Sequence, residues 1–508
     1  MKRFLLCVSA LAAVSCVFHR VEVKQVVPSD GVVVSSPVKA HLKDGSTVVY
    51  AKGVTVAGGA LQGAGVRYDF ALKQPVNVTS IPLDSVVGME SFQTKVNVAP
   101  TVLVNTLITA GAIAGGVALF KAIFGSCPTV YSNDGAVEEA ELFSNSIAPL
   151  FESRDVGRLQ AQPDANGMLS LDVRNEAMET HYINHLQLFE VQHAADEFVL
   201  PDVQGHPVAV RGIRTPADIA ARNGQGLSAI LGAADGLFYQ TEQHRIEGAS
   251  ASDLNDWIDL TAPVPEGADS TTLVFRLRNS LLETTLLYDV MLAPAGARSI
   301  DWLGAGLGHV SAAVEMGRWY ERLAGLHVSV FRDGAYREVA RLPDSGPIFW
   351  HDVAAVIPAE RGETSLRVRL SFLADQWRID RVGVASAARP AEPRVIPISE
   401  VRGSRGLREN EALESLSAPD DRYLQTGPGD RFFAGFNVGT APPSQSRTFL
   451  LSSQGYYTEW IRGTWIQTAS AKEPFVPNDQ AVLAALQQWA AKRESFEERF
   501  VKDRVPVR

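Results

Sequence analysis

Apolar and polar residues alternate in short runs over most of this 508-residue chain, the period-two signature of strands with one buried face. "VKAHLKDGSTVVY" at 38–50 alternates on both sides of Asp44-Gly45, a hairpin turn pair. Short strands with glycine turns follow to "IPLDSVVGMES". "LVFRLRN" at 273–279, "LRVRLSF" at 366–372, "RFFAGFNV" at 431–438 and "RTFLLSSQGYYTEW" at 447–460 read the same way. Two stretches change to helical spacing. One runs from Leu307 to near Gly325. The other runs from Asp479 to Lys502, with Val482, Leu486, Trp489, Phe496 and Phe500 on one face and Asn478 or Asp479 as its cap.

One pattern recurs. "WIDLTAPVPEGADSTTLVFRLRN" begins at Trp257 and "WHDVAAVIPAERGETSLRVRLSF" begins at Trp350. Without a gap, Trp257, Asp259, Pro265, Leu273, Arg276 and Leu277 match Trp350, Asp352, Pro358, Leu366, Arg369 and Leu370. Asp-Gly-x-aromatic precedes each unit, at Asp235–Phe238 and Asp333–Tyr336, and each unit is expected to continue into an apolar strand carrying Asp289 or Asp380. Units about 93 residues apart suit duplicated sandwich domains rather than a thin solenoid. Within a unit, the Trp-led strand is expected to pair across a turn with the strand that follows. Its arginines then face outward or meet a carboxylate on a neighbouring strand. Such a pair is bidentate and fixes register.

The N-terminus breaks the β pattern. Lys2 and Arg3 precede "FLLCVSALAAV", an apolar run too short to span a bilayer, and "AAVSC" ends at Cys16. This is the layout of an export signal, and its end resembles a lipoprotein lipobox in which Cys16 carries lipid. Ala13 stands where leucine is usual, and ordinary signal cleavage is the alternative. A second apolar stretch carries no charge from Val96 to Phe120. As a helix, residues 101–124 extend about 36 Å, the length needed to cross the hydrocarbon core. Gly111 and Gly115 permit close helix contact in lipid. Asn105 and the Ala/Gly content suit a buried or interfacial helix equally. Lys95 and Lys121 flank the stretch and do not orient it. The bulk of the chain is expected outside the cytoplasm.

The formal charge of −10 argues against a nucleic-acid partner, which needs a basic face. Of the cysteines Cys7, Cys16 and Cys127, only the last remains in a mature interior, so no internal disulfide framework is available.

"SCPTVYSNDG" at 126–135, followed by "LSLDVRNEAMETHYINHLQLFEVQH" at 169–193, resembles a family of uncharacterised bacterial envelope lipoproteins. In that family a Ser-Cys-Pro-aromatic stretch follows an apolar segment and precedes β-rich domains. The resemblance extends through "GYYTEW" at 455–460. It implies export and membrane association, and it implies no catalytic residue. The unit "FWHDVAAVIP…LRVRLSF…WRIDRVGV" is similar, at the level of fold alone, to galactose-binding-like jelly rolls.

The segment "ETHYINHLQLFEVQH" holds the metal candidates. His181 and His185 would share a face on a helix, with Glu179, Glu190 and His193 near. The alternation of "INHLQLFEVQH" reads instead as a strand, which separates them. No G-x-S-x-G elbow, phosphate loop or H-E-x-x-H occurs. Catalytic residues and cofactors are therefore expected to be none.

The expected fold is mainly β and multi-domain. It comprises a signal with lipobox (1–16), a tether (17–37), a small N-terminal β-barrel (38–96) and an apolar helix (97–125). A β-rich domain (126–245), a first repeat unit (246–300) and a helix with the second unit (301–390) follow. Connecting loops (391–430), then strands and an amphipathic helix (431–508), complete the chain. The expected function is a non-enzymatic, membrane-associated envelope protein with scaffolding or binding β-domains. A carbohydrate-binding or carbohydrate-processing surface protein is the alternative. The expected partners are membrane lipid, through Cys16 and residues 101–124, and an envelope protein or glycan.

Overall fold

The computed structural model describes residues 18–97, 128–298 and 310–500, apart from 27, 37, 43–45, 69–75, 141, 144–145, 147–151, 178, 404–408, 421, 428, 441–445 and 460–474. Cys16, Cys127 and the apolar stretch 101–124 lie outside the described residues. The chain is mainly β and divides into two compact units.

The first unit contains the N-terminal sheet. Strands Val38–Leu42 and Thr47–Tyr50 form the expected hairpin arms, paired from Val38↔Tyr50 to His41↔Thr47. The eight-stranded sheet stays open, with Phe18–Val26 and Val33–Val34 at its ends. It is therefore not the closed barrel expected. Part of the expected tether is also strand, because Phe18–Val26 pairs with Val86–Asn97 along its whole length. Alternating Val38, Ala40 and Leu42, with Val48 and Tyr50, build a core on one face.

The second unit holds two sandwiches, one inserted in the other. The outer sandwich uses both ends of its sequence. One sheet orders Ser153–Arg158, Ser446–Glu459, Glu179–His193 and Arg394–Pro397, with Leu424–Thr426 also on Glu179–His193. The other orders Glu400–Gly403, Arg431–Asn437, Met168–Arg174 and Thr129–Tyr131. Leu169, Leu171, Ile183, Leu188, Phe432, Phe436 and Leu451 fill the space between. The expected loops at 391–430 thus contribute three short strands and a helix, Glu409–Leu416. Strands of three or four residues are too brief for alternation to register.

A small sheet of Phe198–Pro201, Pro207–Arg211 and Ala387–Pro390 leads into the inserted sandwich. We number the inserted strands β1 (Ala217–Ala221), β2 (Asn255–Pro263), β3 (Ser270–Asn279), β4 (Leu326–Arg332), β5 (Ala335–Leu342), β6 (His351–Pro358), β7 (Ser365–Leu373) and β8 (Trp377–Ala385). One sheet runs β1-β2-β7-β4-β5 and the other β6-β3-β8. Ile258, Leu260, Phe275, Leu277, Val368, Leu370, Trp377 and Ile379 meet in their shared core.

The two repeats therefore form one sandwich, not two. β2 does not pair with β3 across the turn. It crosses to β7 of the other repeat, from Asn255↔Leu373 to Pro263↔Ser365. β3 pairs with β6, from Ser270↔Pro358 to Leu277↔His351. The connections 264–269 and 359–364 are long enough to carry each repeat from one sheet to the other, so both strands bury their apolar face in one core. The result is two strand pairs, each joining one repeat to the other, that pack across a single core. Asp289 lies in a π-helical turn, Thr285–Leu292, rather than on a strand.

Three helices matter for the insert: α1 (Gln243–Glu247), α2 (Val310–Leu323) and α3 (Asp479–Phe500). Helix α2 falls within the expected span and stops before Gly325, which adopts φ +84°. Helix α3 buries Val482, Leu486, Trp489 and Phe496, the face expected from its spacing. The alternative cap is settled for Asn478, whose Oδ1 accepts the Ala481 N–H at 3.0 Å.

Candidate functional site: a polar cleft on the inserted sandwich

The register brings the repeated Asp and Arg together reciprocally. Asp259 stands opposite Arg369, and Asp352 opposite Arg276. Arg369 donates to both oxygens of Asp259, each at 2.8 Å. Arg276 donates to Asp352 at 3.1 Å and also meets Glu139 and Asp380. The first pair is partly exposed and the second largely covered. Burial raises the Asp352 pKa, against the opposing pull of Arg276 and Arg381.

The exposed pair lies among aromatic rings covered by guanidinium groups. Arg222 and Arg369 lie 4.2 and 4.6 Å from the Trp257 ring centre. Arg369 also covers Tyr336 at 4.2 Å, and Arg367 covers Phe331 at 4.4 Å. Trp350, the repeat counterpart of Trp257, packs on Phe238 and lies under Arg278. Trp319, Trp377 and Trp489 are buried.

Beside Trp257 a cleft of 390 Å³ opens between the end of β1 and helix α1. Arg222 and Arg245 form one wall and converge on Asp253. Arg222 binds it at 2.9 and 3.0 Å and Arg245 at 2.8 Å. Both also donate to the Asn255 carbonyl, which locks the two guanidinium groups side by side. Hydrogen bonding from Arg222 holds the Asp253 carboxyl below its usual range. Asp256 is saturated, accepting from Tyr239 Oη at 2.8 Å, Thr241 Oγ1 at 2.7 Å and the Trp257 N–H at 2.9 Å. Burial raises the Tyr239 phenol, keeping it a donor. Asn223 donates to Glu242 at 3.2 Å. Gln225, Gln240 and His244 line the cleft with exposed side chains, and Leu227, Ile230 and Phe238 supply apolar surface.

The cleft wall is braced from behind. Ala490 of α3 accepts from Gln243 at 2.8 Å, and Arg493 donates to the Thr241 carbonyl at 2.8 Å. Asp375, fully buried with φ +61°, accepts from Trp489 Nε1 at 2.6 Å, Arg493 at 3.2 Å and Arg378 at 2.9 Å. Glu497 meets the other side of Arg378 at 2.9 Å.

A second polar group lies elsewhere in the insert. One Gln376 Nε2 lies 2.8 Å from both Glu283 Oε1 and Asp344 Oδ1. Tyr320 and Asn279 donate to Asp344, each at 3.2 Å. Burial, and then the charge of Asp344, push the Glu283 carboxyl well above its ordinary range, and burial raises Asp344 too.

The histidine candidates do not converge. Both lie on the long strand Glu179–His193, whose register shifts between Ile183 and His185. That bulge moves the core face from Ile183 to Leu186 and puts His185 on the side opposite His181. His181 is fully buried, 3.2 Å from Glu179, and burial lowers its pKa to about 3. Burial and Arg154 lower that of the half-buried His185. Among the described residues, no three His, Cys, Asp or Glu side chains are grouped to hold a metal ion. The cleft itself was not foreseen in the sequence. Its walls come from the segments 221–230 and 238–245 and from Asp256, a mixture of loop, strand end and the short helix α1 that carries no periodic signal.

No protein-family profile and no curated protein matches the chain. Solved structures give distant likenesses. An α-xylosidase from Xanthomonas citri is 11% identical with a TM-score of 0.15, covering 85% of this chain and 38% of its own. An uncharacterised protein from Listeria monocytogenes is 10% identical with a TM-score of 0.17, covering 72% of this chain and 29% of its own. An exo-β-1,3-galactanase from Phanerochaete chrysosporium is 9% identical with a TM-score of 0.16, covering 68% of this chain and 81% of its own. The chain thus spans less than half the length of the first two. Likeness this low carries no functional argument.

Proposed function

We propose that this chain is a non-enzymatic, membrane-associated protein of the bacterial cell envelope whose nested sandwiches serve as a binding scaffold. Lipid on Cys16 anchors it, residues 101–124 make a second membrane contact, and the bulk lies outside the cytoplasm. The resemblance carried by "SCPTVYSNDG" and the signal-like N-terminus support the location. Among the described residues, no helix is long and apolar enough to cross a membrane. The observation that carries the binding role is the commitment of charged side chains to structural pairs. Asp259, Asp352, Asp380 and Asp375 all bind arginines, and His181 is buried and uncharged. Such groups fix a rigid frame and leave a cleft for recognition.

The alternative, a carbohydrate-binding or carbohydrate-processing surface protein, draws no support from the sheet face. A sugar stacking there would have to displace the guanidinium groups covering Trp257, Tyr336 and Phe331.

Fractionation tests the anchor. Full-length protein is expected with membranes, while Cys16→Ser or removal of residues 1–24 moves it toward the soluble fraction. An unchanged distribution in both variants overturns the proposal, as does full-length protein that is soluble with its leader uncut.

A further inference from the structure

We infer that the cleft between β1 and α1 binds a small neutral polyhydroxylated ligand, of the size of one or two sugar rings, by hydrogen bonds rather than by ring stacking. The inference rests on reading the sandwiches as binding modules, not on the membrane anchor.

Charge decides the class. Arg222 and Arg245 line the cleft together with the exposed carboxylate of Glu242 and, beneath it, the buried carboxylate of Asp256, while Asp253 outside the lining already partners both arginines. An anion entering it meets carboxylates, and a cation meets two guanidinium groups. Neither gains the one-signed field that charged ligands need. A neutral ligand with both donors and acceptors fits this alternation. Gln225 and Gln240 offer exposed amides, each able to donate and accept. The buried Arg245 Nε is bonded to no described group. Vicinal hydroxyls match planar guanidinium, amide and carboxylate groups in the same two-point manner.

Size and shape agree. At 390 Å³ the cleft lies near the lower end of small-molecule sites, which run from about 300 Å³ upward. Ile230 and Phe238 give half-buried apolar surface that shields the ligand's hydrogen bonds from water. The cleft is also pre-organised. The Asp253 clamp fixes both arginines before any ligand arrives, and α3 braces the α1 side from behind through Gln243 and Arg493. Fixed donors spare the ordering entropy that weakens binding at mobile loops.

The test uses full-length protein and ligand-observed saturation-transfer NMR. The probes are neutral hexoses and hexose disaccharides, with glucuronic acid and glucosamine as charged arms. Expected is transfer to at least one neutral saccharide, with affinity reduced about tenfold or more by the double variant Gln225→Ala/Gln240→Ala. Ala221→Trp, which fills the cleft, is expected to abolish it. Unchanged melting temperatures of the variants show that the fold persists. The inference is overturned if no neutral saccharide binds, if a charged sugar binds more tightly, or if folded variants bind as well as the parent. Membrane fractionation is a separate measurement, so failure of the ligand and failure of the anchor are told apart.

Discussion

At the residue scale, the same Asp–Arg pair occurs twice in different surroundings. Asp352 and Arg276 are largely buried, with Glu139 and Asp380 adding charge. Asp259 and Arg369 keep water access. Removing one partner of a buried pair strands a charge and costs about 3–5 kcal/mol, whereas exposed pairs contribute about 0.2–1 kcal/mol. Asp352→Ala is therefore expected to shift the urea midpoint several times further than Asp259→Ala. Equal shifts would show that burial does not separate the two pairs. The Glu283–Asp344 pair makes stability depend on pH. An unfolded glutamic acid releases its proton near pH ~4.3, and the raised folded carboxyl releases it at higher pH. This contribution is complete below the unfolded value and is lost as pH rises through the folded one. On going from neutral to mildly acidic pH, the parent is expected to gain melting temperature relative to Glu283→Gln. A constant difference would contradict the raised value. The Asp–Arg pairs were legible in the sequence because duplication placed both residue types at fixed offsets. Glu283 and Asp344 were not legible, because nothing in their spacing shows that Gln376 joins them.

At the scale of elements, periodicity identified α2, α3 and most long strands, since each presents one apolar face to a core. Pairing was less visible. β2 and β3 have the alternation of a hairpin, yet alternation reports only which face is buried and not which strand lies alongside. The short strands at 394–403 and 424–426 also escaped notice. Helix α3 shows how polar groups complete what a stripe begins. Its apolar face docks, and Trp489, Arg493 and Glu497 then close on Asp375 and Arg378 of the insert. Asp375→Ala leaves buried donors without their acceptor and is expected to cost about 3–5 kcal/mol. Limited proteolysis should then cut within 479–500 at protease levels that spare the parent. An unaltered digestion pattern would remove the clamp from this account.

At the scale of the whole molecule, the insert enters and leaves through neighbouring strands. Arg211 pairs with Ala387, and Arg214 with Val384. The insert is closed by α3, which follows the last outer strand in sequence. Arg276 of the insert also donates to Glu139 of the outer sandwich at 2.9 Å, which staples the two, and calorimetry is expected to show them melting together. Glu139→Ala, which removes that contact, should split the transition in two. A parent already melting in two steps would show that the staple carries no cooperativity. The nesting has a further effect in time. The outer strand ending at His193 finds its mate only where Ser446 begins. At about 5–20 residues per second, a growing chain leaves that edge unsatisfied for roughly ten to fifty seconds. A bare apolar edge of that lifetime invites aggregation, so the nascent polypeptide should be a client of a holding chaperone until its last tenth emerges.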